Sequence, residues 1–474
     1  MTALLPLLLP LLVLGVILLV LVADLLLPAT DRRAVGILAA AGVAGTLAAS
    51  LAISPSGEAF GGSYVMDELT LYLDRVFLAA AVLGILAAID HADRHFPTRQ
   101  GEYYLLLLAS LAGMLVLAGA RDLVLLVVAF ETAGMPLYLL AALPKSPDGR
   151  STEAALKYYF VGAASTAIAL YGLSLLYGAA GTTRIAALGA APVSPLLFVG
   201  VMATFAGMAF KIGLVPFHFW VPDTYEGAST PFVAFLSVAP KAAGYAALLR
   251  ILHGGLLDHH ALWLPPLLVL SAASMILGNV IAIPQGNVKR LLAGSGIAQV
   301  GTMLLAFAVG TAEGVAMLLF YLAAYVFTNM GAFVVQSVMG EHAASDDMQA
   351  YRGLARTAPG LALAMLLFLL SLAGIPFMAG FWAKLQVFIA VWHAHQAALV
   401  ILAAVLAVMA LFYYLRVARA MYIEPPPEGA VAPVVARPTR VALIACVLGT
   451  VGLGVFPEPF VRSALDAAAL FLGQ

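Results

Sequence analysis

Charged residues are scarce in this sequence. Only 10% of the 474 residues are Asp, Glu, Lys or Arg, whereas a soluble domain averages about 25%. The formal net charge is −1 at pH 7, so no basic surface indicates nucleic-acid binding. The single cysteine, Cys446, excludes a disulfide framework and any cysteine-ligated metal or iron–sulfur cluster within this chain. We therefore expect no metal site.

The sequence consists largely of long apolar runs, and 63% of its residues are hydrophobic. A hydrocarbon core about 30 Å thick needs about 20 apolar residues per helix. The sequence therefore predicts an all-α membrane protein with about fourteen transmembrane helices. The predicted spans are 4–27, 34–53, 68–90, 103–119, 121–143, 153–179, 196–221, 228–252, 261–284, 288–310, 312–339, 358–390, 396–421 and 439–458. The split of 103–143 at Arg121-Asp122 is the least clear of these boundaries.

The distribution of Lys and Arg predicts an orientation. Fourteen of these residues fall in loops or helix ends on one side of the fourteen spans, and four fall on the other side. Cytoplasmic loops are enriched in Lys and Arg, so the richer side is expected to face the cytoplasm and both termini to face outward. A bacterial inner membrane, with lipid around the helices, is the expected location.

Two proline-containing segments indicate an internal repeat. Pro216 and Pro376 each lie inside a predicted span, five helices apart. Proline interrupts a helix interior, and broken helices in corresponding positions of two halves are typical of transporters. Two unrelated kinks are the alternative. The predicted division is residues 1–102 with helices 1–3, 103–253 as the first inverted five-helix repeat, 254–421 as the second, and 422–474 as a Pro-rich loop with helix 14.

Four of the six lysines fall within predicted spans: Lys157, Lys211, Lys241 and Lys384. A lysine at the centre of a membrane helix costs about 2.5–3.5 kcal/mol, so these side chains must be paired, hydrated or neutral. Lysine can release its proton after burial, whereas arginine cannot. The pattern therefore favours a proton relay. For Lys241, a structural hydrogen bond to a neighbouring helix is the alternative.

Two lysines have a simpler explanation. Lys157 lies four residues after Glu153 and near a helix start, so it could form an interfacial ion pair. Lys289 opens a helix beside Arg290 and is better explained as a topology anchor than as a relay residue.

Glu131 is the main buried acid, and a lysine is its natural partner within a membrane. His218 lies in the first proline-containing segment and could connect two lysines, although a structural role is equally consistent with its position. Asp67, Glu68 and Asp74 are expected to be interfacial, at the outer end of the third span.

The motifs around these residues resemble the antiporter-like subunits of respiratory complex I, and subunit N in particular. The matching segments are FKIGLVPFHFWVPDTYEGA (210–228), FLSVAPKAAG (235–244), AALKYYF (154–160), GIPF (374–377) and GFWAK (380–384). The similarity covers roughly residues 65–420.

The resemblance implies a fourteen-helix fold with two inverted five-helix repeats, each with a broken helix. It implies a switchable ion pair of Glu131 with Lys211, a central relay at Lys241, and Lys384 toward the exit, with Lys157 on the entry side. It also implies K-like and M-like membrane subunits as neighbours. NADH, FMN, iron–sulfur clusters and quinone would bind in partner subunits, with no cofactor in this chain.

The sequence departs from the family pattern at two points. Gln299 stands where the family often has a histidine, and glutamine cannot titrate. The acid motif reads FETAGMP (130–136), where a leucine- and serine-rich version is usual. The predicted function is a proton-translocating subunit of NADH:quinone oxidoreductase. The alternatives are an Mrp-type cation/proton antiporter subunit, a membrane subunit of a related hydrogenase or dehydrogenase, and a purely structural subunit.

Overall fold

The computed structural model describes residues 2–28, 32–143 and 149–473, and these are mostly helical. The first ten α-helices are α1 (Leu8–Leu26), α2 (Arg33–Leu51), α3 (Glu68–His95), α4 (Gln100–Ala118), α5 (Leu123–Ala142), α6 (Arg150–Ala180), α7 (Pro195–Ile212), α8 (Trp220–Gly227), α9 (Thr230–Leu236) and α10 (Ala239–Leu248). The remaining α-helices are α11 (His260–Ala282), α12 (Val288–Ala308), α13 (Ala312–Ala343), α14 (Leu354–Thr357), α15 (Pro359–Ala373), α16 (Ala379–His393), α17 (Ala397–Tyr422), α18 (Arg437–Val455) and α19 (Glu458–Leu472).

Shorter elements connect these helices. The 3₁₀ turns are Thr2–Leu7, Phe60–Gly62, Ile185–Ala190, Leu257–His259 and Met348–Tyr351, and Leu249–His253 form a π-helical turn. The strands β1 (Gly57–Ala59) and β2 (Tyr64–Met66) form one antiparallel hairpin, with Gly57 opposite Met66. The sequence analysis did not predict this hairpin.

The predicted all-α membrane fold is confirmed. Thirteen helical segments within the described residues are long and apolar enough to cross a membrane. The remaining predicted span, 358–390, corresponds to α15 and α16, which a short connection separates. The split at Arg121-Asp122 is also observed. Asp122 caps α5 by accepting a hydrogen bond from the N–H of Val124 at 2.9 Å, which satisfies a donor that the helix start leaves free.

Four spans form the interior of the molecule. The segments Thr230–His253 and Val288–Ala308 are buried along their whole apolar windows, and Ala312–Ala343 and Glu68–His95 are buried along most of theirs. The peripheral spans, such as Ala397–Tyr422, leave most of their side chains on the surface. A helix that is apolar on all sides and enclosed by other helices suits the interior of a membrane bundle.

Three spans are interrupted within the described part of the chain. The helices α7 and α15 end at Gly213 (φ 75°) and Gly374 (φ 88°), whose left-handed conformation closes a helix at little steric cost. Pro216 and Pro376 lie in the connections that follow. The interruption between α9 and α10 was not predicted, because 228–252 was interpreted as one continuous helix. Asn329 donates a hydrogen bond to Ser237 within this interruption at 2.7 Å.

The last described helix, α19, was missed. The prediction placed the final helix at 439–458 and none after it, because residues 458–472 are too short and too charged for a span. The structure packs α19 against α3 and α13. Its buried positions Ala464, Ala467 and Ala468 recur at the three- to four-residue spacing of an amphipathic helix, which was the available signal.

Candidate functional site

Lys211 lies in the last turn of α7, and its side chain is buried. The residue is only 3% exposed, and its Nζ has no hydrogen-bond partner among the described residues. The Nζ lies 4.9 Å from the ring centroid of Phe130 and 5.3 Å from that of Tyr138. Aromatic faces attract a cation, but they do not replace a hydrogen bond. The nitrogen is therefore held in an apolar, aromatic pocket without a fixed polar partner.

Glu131 lies on α5, the helix that also carries Phe130 and Tyr138 of this pocket. Its Oε1 accepts a hydrogen bond from Thr166 on α6 at 2.8 Å. No ion pair within 4.0 Å joins Glu131 to Lys211, although the Lys211 nitrogen lies against Gly134, one turn after Glu131 on α5. The structure therefore shows the two proposed partners close together but unpaired, with the acid engaged by Thr166 instead.

Lys241 is in the first turn of α10 and is 1% exposed. Its Nζ also has no hydrogen-bond partner among the described residues, and it lies 5.8 Å and 6.0 Å from the ring centroids of Tyr225 and Tyr325. A Cβ added to Gly296 would lie 3.1 Å from this Nζ and 3.2 Å from the Tyr325 hydroxyl. The absence of a side chain at Gly296 therefore leaves both polar groups bordering the same small space.

The segments that hold Lys211 and Lys241 pack directly on each other. A Cβ added to Gly244 would lie 3.4 Å from Cβ of Lys211, and one added to Gly213 would lie 4.0 Å from Cε of Lys241. The two lysines therefore lie on facing segments, and small residues provide the close approach between the backbones.

Lys384 lies on α16 and is 7% exposed. Its Nζ donates to the carbonyl of Leu372 at 2.7 Å and lies 3.4 Å from that of Ala373. These carbonyls are at the C-terminal end of α15, where a helix has unpaired acceptors and a partial negative charge. The broken span therefore supplies the polar partner that a buried ammonium group needs.

Gln299 on α12 lies between the central and the far lysine. Its Nε2 donates to the same Leu372 carbonyl at 2.9 Å and lies 3.4 Å from the hydroxyl of Tyr414. Its Oε1 accepts a hydrogen bond from Tyr321, and Ser295 is hydrogen-bonded to Tyr414. The amide thus takes part in a buried group of hydroxyls that reaches the partner of Lys384.

Two further lysines lie in an ionic cluster at helix ends. Lys157 has a 44% exposed side chain and pairs with Glu153 and with Asp223, at 2.6 Å in each case. Lys289 is buried and contacts the backbone carbonyls of Glu226 and Ala228, at 3.3 and 3.4 Å.

The cluster also includes Asp346, 3.2 Å from Lys289, and Arg290, 3.0 Å from Asp223. Burial acts to raise the pKa of Asp223, but hydrogen bonds from Lys157 and Arg290 hold it below its ordinary value. The carboxylate therefore stays charged within the cluster at neutral pH.

His218 is buried in the connection between α7 and α8. Its Nδ1 has no hydrogen-bond partner among the described residues, and no hydrogen bond joins it to Lys211 or Lys241 within that part of the chain. The structure thus brings Glu131, Lys211 and Lys241 together, but among the described residues it shows no hydrogen bond from this histidine to the lysines.

Several buried polar residues were missed. Tyr321 and Tyr325 lie on one face of α13, four residues apart, and this spacing inside an apolar helix was a usable signal. Asp74, expected to be interfacial, is fully buried. Arg250, one of the four Lys and Arg residues counted at loops or helix ends on the poorer side, is buried and forms a bidentate ion pair with Asp67 at 2.7 Å.

The chain is similar to a known family of membrane proteins. The family described as "NADH:quinone oxidoreductase/Mrp antiporter, TM" matches residues 120–410. NADH-quinone oxidoreductase subunit N of Moorella thermoacetica is 43% identical, over 94% of this chain and 94% of its own. Subunit N 2 of Rhizobium meliloti is 40% identical over 89% of each chain.

Solved structures show the same fold. A chain of respiratory complex I from Thermus thermophilus has a TM-score of 0.82 and 34% identity, with 96% of this chain and 98% of that chain covered. A chain of the Mrp complex from Dietzia sp. DQ12-45-1b has a TM-score of 0.88, with 99% of this chain and 97% of that chain covered. Its identity is 22%, so this likeness concerns the fold alone.

Proposed function

Because the chain belongs to the subunit N family of NADH-quinone oxidoreductase, we propose that it moves protons along Lys211, Lys241 and Lys384. At the level of the complex, it is a proton-translocating membrane-arm subunit of NADH:quinone oxidoreductase. The observation that supports the relay is the burial of three lysines, two without a polar partner and on facing segments. Each buried lysine would cost about 2.5–3.5 kcal/mol if it were charged and unpaired. A purely structural subunit would have no need for such costly residues.

The first step would be a charge switch at Glu131. When the carboxylate is paired with Lys211, the ammonium form is stabilised. When Thr166 holds the carboxylate, as here, Lys211 has only aromatic neighbours. An unpaired buried cation is disfavoured, so opening the pair favours proton release toward Lys241. Closing it again would reload Lys211.

The second step would lead from Lys241 to Lys384. The hydroxyl of Tyr325 borders the space beside Lys241, and the hydroxyls of Tyr321 and Tyr414 contact Gln299. A hydroxyl can donate and accept at once, whereas the amide of Gln299 cannot titrate. We assign Gln299 to ordering hydroxyls and water along this part of the path, with protons passing between those groups.

The peripheral residues would connect this path to one membrane surface. Lys157 and Lys289 belong to the ionic cluster with Asp223 and Asp346, and we assign them to the entry side rather than to the central relay. His218 lies beside the first break, where a role in proton transfer would need water to reach it. Pro216 and Pro376 would keep the two spans interrupted.

The relay is expected to work without a redox group in this chain. We propose that NADH, FMN, iron–sulfur clusters and quinone bind in other subunits, and that this chain acts as the translocase part. K-like and M-like subunits are the proposed neighbours, within a bacterial inner membrane and surrounded by lipid. Both termini are proposed to face outward, as the Lys and Arg distribution predicts.

We also propose that residues 103–253 and 254–421 are inverted repeats, between an N-terminal unit 1–102 and a C-terminal unit 422–474. The two breaks support this division. In each, a helix ends at a glycine with positive φ and a proline follows within three residues: Gly213 with Pro216, and Gly374 with Pro376. Each break also lies beside a buried lysine, Lys211 or Lys384.

The experiment compares Lys211→Ala with Lys211→Arg in the assembled complex, reconstituted into vesicles, with proton pumping measured during NADH oxidation. Arginine keeps the charge but does not release its proton, so both variants should abolish pumping through this subunit. Glu131→Gln should do the same. Substitution of the exposed Arg437 by alanine is the control for assembly and activity. Normal pumping in assembled Lys211→Ala complex, or full rescue by Lys211→Arg, would contradict the relay.

A further inference from the structure

One cluster of potential metal ligands lies outside the relay. It consists of His91 and His95 in the last turns of α3 and Glu341 near the end of α13. One ligand atom from each lies within 4.8 Å of the other two. We propose that this cluster binds a divalent transition-metal ion of the zinc class, with water completing the coordination. The expectation of no metal site, drawn from the single cysteine, did not consider this combination of residues.

The arrangement of the donors suits such an ion. His91 and His95 are four residues apart, so both project from one face of the helix, and their rings stack with centroids 4.2 Å apart. Nδ1 of His91 lies 2.7 Å from Oε1 of Glu341. Zinc takes imidazole nitrogen and carboxylate oxygen at about 2.0–2.2 Å, which places two tetrahedral ligand atoms roughly 3.4 Å apart. Binding therefore requires His91 and Glu341 to separate slightly and the more distant donor to approach. The exposed side chain of His95 has the freedom to do this.

Arg94 both supports and opposes the site. It contacts Oε2 of Glu341, while Oε1 faces His91. Arg94 thus holds Oε2 of Glu341 and leaves Oε1 for a metal. Groups that surround a metal site commonly orient its ligands in this way. The arginine charge also repels a cation. Because its side chain is largely exposed, it can move away from the ion.

A bound ion would join two helices that contact each other elsewhere in the interior. The helix α3 carries the two histidines, and α13 carries the glutamate together with Tyr321 and Tyr325 of the proposed path. An ion that binds only the folded state stabilises that state, by an amount that grows with the logarithm of the free ion concentration once this exceeds Kd. Zinc should therefore fix the ends of α3 and α13 to each other and raise the resistance of the complex to thermal unfolding.

The test uses the purified complex with zinc chloride, buffered by a competing chelator. Zinc per complex is counted by mass spectrometry after dialysis. The native complex should hold one more zinc than the His95→Ala or Glu341→Gln complex at the same free zinc concentration. Loss of a direct ligand should weaken binding by at least about tenfold.

His342→Gln is the matched control, since His342 is exposed and adjacent to Glu341 but outside the cluster. The control complex should bind zinc as the native complex does. An equal zinc count in native, His95→Ala and Glu341→Gln complexes would overturn the proposal. So would a zinc-dependent rise in thermal resistance that persists in both variants. Neither result would affect the proton relay, which uses none of these side chains.

Discussion

The ammonium nitrogen of Lys211 lies against Gly134, one helical turn after Glu131 on α5. A Cβ added to Gly134 would come within 2.1 Å of this nitrogen, closer than any real contact. The glycine therefore provides the space in which the lysine reaches toward the helix of its acid. This space lies within the FETAGMP motif, at the point where the sequence departs from the family pattern.

The first prediction concerns Gly134→Ala. The added methyl group should displace the Lys211 side chain and misalign it with Glu131, since a displacement of about 1 Å can cost up to 100-fold in rate. We expect proton pumping by the assembled complex to fall roughly tenfold or more. Gly178→Ala on α6 is the control, because a Cβ there meets nothing within 4 Å. Unchanged pumping in Gly134→Ala would show that Lys211 need not occupy this position.

The second prediction concerns Thr166, which holds Glu131 away from Lys211. Thr166→Val removes the hydroxyl while retaining the shape. A hydrogen bond to a charged group contributes about 1.5–3 kcal/mol, so its loss should favour the closed ion pair by roughly tenfold or more. Pumping should slow because the pair reopens less often. Thr166→Ser keeps the hydroxyl and should pump near the native rate. Equal rates in the valine and serine variants would exclude this role.

The sequence was sufficient for the helical spans and for the buried lysines because hydrophobic length and isolated charges are local signals. Lys211, Lys241 and Lys384 could be selected without coordinates, since a lysine inside an apolar run is costly wherever it lies. The split between α4 and α5 could be placed because Arg121 and Asp122 interrupt the apolar run.

Contacts between distant segments could not be predicted in the same way. That Leu372 offers one carbonyl to both Gln299 and Lys384 depends on how α12, α15 and α16 pack. Asp74 is buried because α3 is enclosed by other helices, although its position near a predicted span end suggested an interface. The break before Lys241 was missed although Pro240, in the first turn of α10, was the available signal; the apolar run continues through it, so 228–252 was interpreted as one helix.

The third prediction concerns Gln299, which lies in the hydrogen-bonded group between Lys241 and Lys384. Gln299→Leu should leave the Tyr321 hydroxyl without its acceptor and remove one donor from Leu372, which disorders the groups between Lys241 and Lys384. Leaving buried polar groups unsatisfied costs about 1–3 kcal/mol, so pumping should fall roughly tenfold. Gln299→His, which can donate and accept, should retain pumping. The measurement is proton uptake per NADH oxidised in vesicles. If leucine and histidine variants pump equally, protons do not pass this residue.

The fourth prediction concerns the ion pair of Asp67 with Arg250, which ties α3 to the end of the span that contains Lys241. Burial acts to raise the pKa of Asp67, but the Arg250 guanidinium and the Thr70 hydrogen bonds lower it to about 2. The side chain of Arg250 is only 3% exposed. Asp67→Asn would therefore leave a buried guanidinium without its carboxylate and, among the described residues, with only the Ala118 carbonyl and the Thr70 hydroxyl as acceptors. Breaking such a pair costs about 3–5 kcal/mol, and the variant should unfold at a clearly lower temperature in detergent.

The sign of the pH dependence follows from the lowered pKa of Asp67. A carboxyl group whose pKa is lower in the folded state contributes its full stabilisation above its unfolded pKa of about 3.9. The contribution is lost as the pH falls toward 2. The difference in melting temperature between native protein and Asp67→Asn should therefore be constant from about pH 5 to pH 8 and shrink below about pH 4. Glu68→Gln, next to Asp67 in the chain, is the control and should melt as the native protein does. A native-like melting temperature for Asp67→Asn at pH 7 would mean that Arg250 finds another partner or that water reaches it.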